Sequence, residues 1–253
     1  MRQTGGTSVL VTGGGSGLGE ACARRLVEHG ARVTICGRRS EPLERIADEL
    51  GETCLALVAD VSDASQHAVL LEGALTHGGK LDSIVNAAGN MYRGPVDSLQ
   101  ESLLTDVFRS NVIGPMMLLG AAKGHLVETA GSVVFFGSVH TQRSYPGAAP
   151  YAATKGALET LTRVLAAELG PTRVRVNCIR PGAVFTEINQ RAGLGSDSQA
   201  LDRLRSMSSA HALGRIGTPE EIAEAVEFLL GAEWVTGSIL TVDGGLSLGV
   251  TQD

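Results

Sequence analysis

Tyr151 and Lys155 lie four residues apart in Pro150-Tyr-Ala-Ala-Thr-Lys155. On a helix that spacing stacks both side chains on one face. A phenol with its ordinary pKa near ~10 is a poor base at neutral pH. A cation within reach favours the phenolate, by roughly 1–3 units for close pairs. The pair is therefore a candidate general acid/base for moving a proton on or off an alcohol oxygen. By itself the same spacing also describes a surface lysine beside a packed tyrosine. Features elsewhere in the chain bear on the choice.

Thr12-Gly-Gly-Gly-Ser-Gly17-Leu-Gly19 follows an apolar run and precedes a helical pattern. Gly13, Gly17 and Gly19 give the spacing G-x-x-x-G-x-G, with Gly15, Ser16 and Leu18 between them. Glycine is needed where a turn is tight and where the backbone must approach a pyrophosphate at a helix N-terminus. After the first strand of a βαβ unit, this turn predicts a dinucleotide site. About twenty residues on, an acid would accept from the adenosine ribose, whereas an arginine would accommodate a 2′-phosphate. Here Gly37 fills the acid's slot and Arg38 and Arg39 follow. That favours NADP(H), with NAD(H) the alternative; the bland reading is a solvated helix start. Asp60, with Val61 after it, closes the next apolar run. It can accept from an adenine amino group, or serve as a turn residue before Ser62.

These residues need a scaffold. The chain has 253 residues, 43% hydrophobic, with 33 glycines, which suits a well-buried core with many tight turns. Strands are predicted at Ser8–Val11, Arg32–Cys36, Cys54–Val58, Ser83–Asn86, Ser132–Phe136, Val174–Ile179 and Ile239–Val242. Most are nearly continuous apolar runs, as in parallel strands covered on both faces. Helices are predicted near 17–29, 41–50, 63–77, 99–128, 151–169 and 219–231. The last starts at Thr218 as N-cap with Pro219 first in the helix. The alternation predicts an α/β fold: a doubly wound parallel sheet of seven strands, Rossmann-like, with helices on both faces. One domain, 1–253, is expected, with a substrate flap near 187–213 carrying Leu201, Leu204 and Met207 on a short amphipathic helix. The formal net charge of −6 offers no global basic field for nucleic acid or an anionic membrane. Cys22, Cys36, Cys54 and Cys178 are scattered and read as buried free thiols, with no metal site. The longest apolar stretch, Val112–Ala122, is too short to span a bilayer, and a cytoplasmic protein is expected.

Taken together, Thr12–Gly19, Asn86-Ala-Ala-Gly89, Asn111, Ser138, Tyr151-x-x-x-Lys155, Pro181-Gly182 with Thr186, and Val242-Asp-Gly-Gly245 resemble the short-chain dehydrogenase/reductase family over nearly the whole chain. The resemblance implies hydride transfer between a nicotinamide and an alcohol/ketone pair. It implies Tyr151 as proton donor or acceptor, Lys155 lowering the Tyr151 pKa and binding the nicotinamide ribose, and Ser138 donating to the same substrate oxygen. Asn111 would complete a tetrad by holding a water that links Lys155 to solvent. Pro115, four residues later, has no N–H, so in a continuous helix the Asn111 carbonyl would be free for that water. Asn86, Ala87 and Gly89 would pass close to the adenosine ribose. Pro181, Gly182, Val184 and Thr186 would face the nicotinamide carboxamide and phosphates.

Met91, Tyr92, His140, Gln142, Tyr145 and Ile188 are expected to line a pocket for a small-molecule substrate. The chain further resembles 3-oxoacyl-carrier-protein reductases in Gly137-Ser138-Val139, Leu213-Gly-Arg-Ile-Gly217 and Val242–Gly245, which makes that activity the alternative. Where those enzymes carry basic docking residues, this chain has Glu128-Thr129 and Pro171-Thr172, with Arg173 adjacent. A remoter alternative is a dinucleotide-binding sensor or scaffold without turnover; such relatives usually lack the tyrosine or lysine. The apolar C-terminal segment Ile239–Val250 marks a sheet edge, which invites association. A homotetramer is expected, with a dimer as runner-up.

Overall fold

The computed structural model describes residues 3–188 and 197–249. Gly193 and Gly195 of the expected flap, and Val250, lie outside the described residues. The strands are β1 (Ser8–Thr12), β2 (Arg32–Gly37), β3 (Cys54–Val58), β4 (Ser83–Asn86), β5 (Ser132–Phe136), β6 (Arg175–Pro181) and β7 (Ile239–Val242). All pair in parallel, in the order β3-β2-β1-β4-β5-β6-β7. The seven-stranded parallel sheet predicted from the apolar runs is thus present.

Side-chain alternation along each strand divides the core in two. Val9 and Val11 of β1, with Val134 and Phe136 of β5, face one layer. There they meet Cys22 and Leu26 of α1 (Gly17–Glu28), Leu43 and Ile46 of α2 (Ser40–Leu50) and, from the C-terminal end of the chain, Ile222, Val226 and Leu229. Leu10, Val133 and Phe135 face the other layer, against α3 (His67–Gly78) and the helices that follow β4 and β5. Each fully buried leucine or phenylalanine contributes about 1.5–3 kcal/mol. The edge strands β3 and β7 are only partly buried, whereas β1, β4 and β5 are wholly so.

The predicted helix over 99–128 is interrupted. α4 (Glu101–Phe108) and α5 (Gly114–Thr129) are joined by a π-helical turn, Arg109–Ile113, in which the Gly114 N–H bonds the Arg109 carbonyl. Pro115 cannot donate to Asn111, so the ladder loses an α-type bond there. A Cβ on Gly114 would strike the Val61 carbonyl, so α5 sits close to the loop after β3. The remaining helices are α6 (Ala149–Leu169), α7 (Asp197–Arg205) and α8 (Pro219–Gly231). α8 starts with the capping box its sequence predicts: Thr218 Oγ1 accepts from the Glu221 N–H, and Glu221 accepts from the Thr218 N–H. The four cysteines are free and buried.

Candidate active site

The strand order reverses between β1 and β4, so their carboxyl ends splay apart and open a crevice. A cleft of about 640 Å³ runs from there to α6. The glycine turn forms one end of it. Gly13 has φ +67°, and a Cβ there would lie 2.7 Å from the Ala88 backbone. A Cβ on Gly19 would strike the Gly13 carbonyl oxygen. Ser16 makes no side-chain cap on α1, which leaves the first-turn N–H groups and the positive helix end for an anion. Gly13, Gly15, Ser16, Gly17, Leu18, Gly19, Arg38, Arg39, Asp60, Val61, Ala87 and Gly89 all line this end.

Arg39 donates to Glu187 at 2.7 Å. Arg38 is exposed and has no ion pair among the described residues. Asp60 takes the turn role: its Oδ1 accepts from the Ser62 N–H at 2.9 Å and hydroxyl at 2.7 Å, while the residue still faces the cleft. Asn86 does not line the cleft. It is buried behind Ala87, and neither atom of its amide has a partner.

At the far side, Pro181, Gly182, Val184 and Thr186 line the wall, Thr186 lying over Gly17. The Val242–Gly245 motif braces this wall. Asp243 accepts from the N–H groups of Gly245 and Ser247 at 2.8 and 2.7 Å. Burial alone would raise its carboxyl, but the bonds from Ser247 and Gly245 hold it below its ordinary value. A Cβ on Gly182 would lie 2.7 Å from the Asp243 Cα. The turn sends Leu246, fully buried, into the base of the cleft.

The catalytic candidates converge on one face of α6. Tyr151, Thr154, Lys155 and Glu159 are all buried along it. Lys155 Nζ donates to the Phe136 carbonyl at 2.9 Å and lies 5.4 Å from the centre of the Tyr151 ring. Ser138 follows β5 in extended backbone; its hydroxyl is 3.0 Å from His140 Nδ1. The expected lowering of the Tyr151 pKa by Lys155 is not what the geometry produces. Burial dominates and pushes the phenol up to about 12, and the opposing pull is a hydrogen bond with Ser138. Burial also brings the Lys155 ammonium down to about 8. At neutral pH the pair is a protonated phenol beside an ammonium, suited to donating a proton.

Asn111 stands behind the cleft rather than in it. Its Nδ2 donates to the Asn90 carbonyl at 2.8 Å and to Thr154 Oγ1 at 3.0 Å, and its Oδ1 accepts from the Asn90 N–H at 2.7 Å. The side chain therefore ties the loop after β4 to α6. Gly89 fits between them: a Cβ there would lie 3.3 Å from Asn111 Oδ1 and 3.9 Å from Lys155 Nζ.

Of the expected substrate residues, Met91, His140, Tyr145 and Ile188 line the outer part of the cleft. Tyr92 and Gln142 do not. The Tyr92 hydroxyl accepts from the Gln100 N–H at 2.8 Å, and Gln142 is exposed. His140 packs on Tyr145 at 4.5 Å between ring centres and edge-on to Tyr151 at 5.3 Å. Burial, then the charges of Arg93 and Lys155, depress its pKa to about 4, so the imidazole is neutral at pH 7. Leu204 and Met207 of the expected flap also line this end, together with Arg93, Arg203 and Leu246, which were absent from the predicted set. Leu204 and Met207 pack with Tyr145, Val139 and Leu246, so the amphipathic spacing on the flap was the one local signal for them. Among the described residues no His, Cys, Asp and Glu cluster could hold a metal, and no helix is long and apolar enough to cross a membrane.

A family model described as enoyl-(acyl carrier protein) reductase matches residues 13–247. An uncharacterized oxidoreductase of Methylorubrum extorquens is 36% identical over 97% of this chain and 100% of its own length. L-fucose dehydrogenase of Bos taurus is 35% identical over 96% of this chain and 90% of its own. A 3-ketoacyl-(acyl-carrier-protein) reductase from Brucella melitensis, solved in complex with NADH, superposes with TM-score 0.88 at 31% identity, covering 96% of this chain and 99% of that one. The chain belongs to the short-chain dehydrogenase/reductase family, oxidoreductases that act on alcohol and carbonyl groups with a nicotinamide dinucleotide.

Proposed function

We propose that this protein is an NADP(H)-dependent oxidoreductase that interconverts an alcohol and a ketone on a small molecule, with Tyr151 as general acid/base. The observation that carries the reading is the convergence of Ser138, Tyr151 and Lys155 at one end of a cleft whose other end is the glycine turn with Arg38 beside it. The residues present suit a dinucleotide. The glycine turn and the uncapped start of α1 would hold the pyrophosphate, Arg38 the 2′-phosphate, Asp60 the adenine, and Lys155 the nicotinamide ribose. When bound, the nicotinamide supplies or takes the hydride.

The remaining work falls to the chain. Ser138 donates to the substrate oxygen and holds it beside the Tyr151 hydroxyl. Tyr151, protonated well above neutral pH, gives its proton to that oxygen in reduction and takes it back in oxidation. Lys155 places a positive charge where the oxygen gains electron density. Asn111, through Thr154 and Asn90, fixes the floor beneath Lys155, and its carbonyl, opposite Pro115, which has no N–H, would hold a water. Val184 and Thr186 would meet the carboxamide.

NAD(H) remains the alternative cofactor, and 3-oxoacyl-carrier-protein reduction the alternative activity. Glu128 and Pro171 at the expected docking positions weigh against carrier-protein recognition. One domain with its flap performs the chemistry in the cytoplasm. Exposed Met116, Met117 and Val164 on α5 and α6, and exposed Phe228, Trp234 and Leu248 near α8 and β7, support two apolar interfaces and a homotetramer.

The test is NADPH oxidation against a panel of ketones, with Tyr151→Phe as control. The variant is expected to bind NADPH normally and to lose about 10²–10⁴-fold in kcat. Retention of near-normal kcat by Tyr151→Phe would refute the assigned role. Absence of turnover with every ketone, with NADPH bound, would favour the sensor reading.

A further inference from the structure

The chain as a whole is acidic, yet the cleft is lined by six cationic side chains against three carboxylates. Arg38, Arg39 and Lys155 have cofactor roles in the reading above. Of the carboxylates, Asp60 lies at the adenosine end, Glu187 is paired with Arg39, and Asp106 is one helical turn from Arg109. Arg93 and Arg203 are left.

Both stand at the outer end, past Ser138. Arg93 is half-buried on the loop after β4, and among the described residues it donates only to the Pro146 carbonyl, at 3.3 Å. That loop is pinned to the Tyr145 loop by the Gly94 N–H, which donates to the Gly147 carbonyl at 2.9 Å. Arg203 projects from α7 next to Leu204, which packs against Tyr145 and Leu246. Neither arginine has a carboxylate partner among the described residues, whereas Arg24, Arg25, Arg39, Arg45, Arg180 and Arg215 all do. The two are close enough to feel each other: burial, then the Arg203 charge, lowers the Arg93 guanidinium from its ordinary value. Two guanidinium groups held near each other without an anion repel, and an anion between them reverses that sign. Beside them the His140 Nε2 and the Tyr145 hydroxyl are buried without partners, an arrangement costly unless a ligand oxygen satisfies them.

We infer that Arg93 and Arg203 recognise a negatively charged group on the substrate, which is therefore a small alcohol or ketone bearing a carboxylate, sulfonate or phosphate beyond the reacting carbon. This rests on the alcohol/ketone reading of the same cleft.

The probes are 3- and 4-oxocarboxylates paired with their methyl esters, titrated by calorimetry into the NADP⁺-loaded protein and assayed as substrates with NADPH. Each acid is expected to bind at least about tenfold more tightly than its ester. The preference should shrink as salt rises from 0.05 to 0.5 M on the order of a screened charge contact, and collapse toward unity in the Arg93→Gln/Arg203→Gln double variant. Esters binding as well as acids, no acid binding at all, or a preference that survives the double substitution would each overturn the inference. The salt series needs no variant and stands if the double variant fails to fold. The two readings fail separately. Reduction of esters without preference for acids removes the anion site and leaves the reductase. Acid-selective binding without turnover of either series does the reverse.

Discussion

The floor of the cleft and its two ends treat polar groups in opposite ways. On the floor, α6 turns Tyr151, Thr154, Lys155, Glu159 and Thr162 inward where a helix of this length would ordinarily bury aliphatic side chains. α5 does the ordinary thing, burying Leu118, Leu119, Ala122 and Leu126. On α6, Thr154, Lys155, Glu159 and Thr162 all have protein partners, at Tyr151, Phe136, Arg180 and Leu158. At the ends, Arg38, Arg93 and Arg203 are cations without a carboxylate partner among the described residues. Buried polarity satisfied within the chain fixes geometry before any ligand arrives. Unpaired cations at the rim supply charge that only a ligand completes.

The largest way to break that contrast is to unpair the floor. Glu159 and Arg180 have side chains only 7% and 11% exposed, and join at 2.7 Å. Glu159 also accepts from Thr141, in the turn that starts at Ser138, and Arg180 donates to Thr141 at 3.1 Å. Glu159→Ala strands a buried guanidinium and should cost about 3–5 kcal/mol in urea denaturation. It should also lower kcat with little change in NADPH affinity, because the Ser138 turn loosens while the glycine turn does not. A stability loss under about 1 kcal/mol would show that the pair is not what holds the floor.

His140 sits on the border between the two regimes, bonded to Ser138 on one nitrogen and unpartnered on the other. Its pKa of about 4 in the fold lies below its ordinary value of 6.5. As pH falls from 6.5, the unfolded chain takes up the proton and the folded one does not, so stability drops until about pH 4 and no further below it. The full span is worth about 3 kcal/mol. His140→Gln should therefore narrow the gap between the Tm at pH 7 and at pH 4.5, at about 2–4 °C per kcal/mol for a chain of this size. An unchanged gap would mean that the imidazole is already charged or well solvated at pH 7.

The floor and the glycine turn were legible in the sequence because each is local. Tyr151 and Lys155 share one helix. Gly13 to Gly19 span one turn. Continuous apolar runs such as Ser132–Phe136 declare parallel strands whatever surrounds them. The misses depended on long-range placement. Arg93 and Arg203 lie 110 residues apart and meet only because the loop after β4 and α7 both reach the Tyr145 loop. The π turn at Arg109–Ile113 was half legible: Pro115 announced a lost bond, but the break it makes between α4 and α5 depended on the close fit of Gly114 on Val61. The pull on the Tyr151 pKa was less legible for a related reason. Spacing brings the lysine near, but burial dominates and the opposing pull comes from Ser138, and burial is set by the whole fold.

Arg38 and Arg39 sharpen the comparison at the cofactor end, since adjacent arginines stand in different states. Arg39 is already paired with Glu187, across the cleft from the β2 terminus. A phosphate reaching Arg39 must compete with that carboxylate, and an exposed pair of this kind is worth only about 0–1 kcal/mol. Arg38 has no competing partner among the described residues, so a 2′-phosphate gains the whole charge-assisted contact, about 1.5–3 kcal/mol, or roughly ten- to hundredfold in affinity. Arg38→Ala should therefore raise KM for NADPH by that factor while leaving KM for NADH almost unchanged. Arg39→Ala should do distinctly less, because a phosphate gains from Arg39 only what is left after competing with the Glu187 carboxylate. Measuring both variants with both cofactors separates the outcomes. Equal effects of the two substitutions would place the phosphate between the arginines and displace Glu187 from its pair. A protein that prefers NADH before any substitution would assign both arginines to the solvated start of α2.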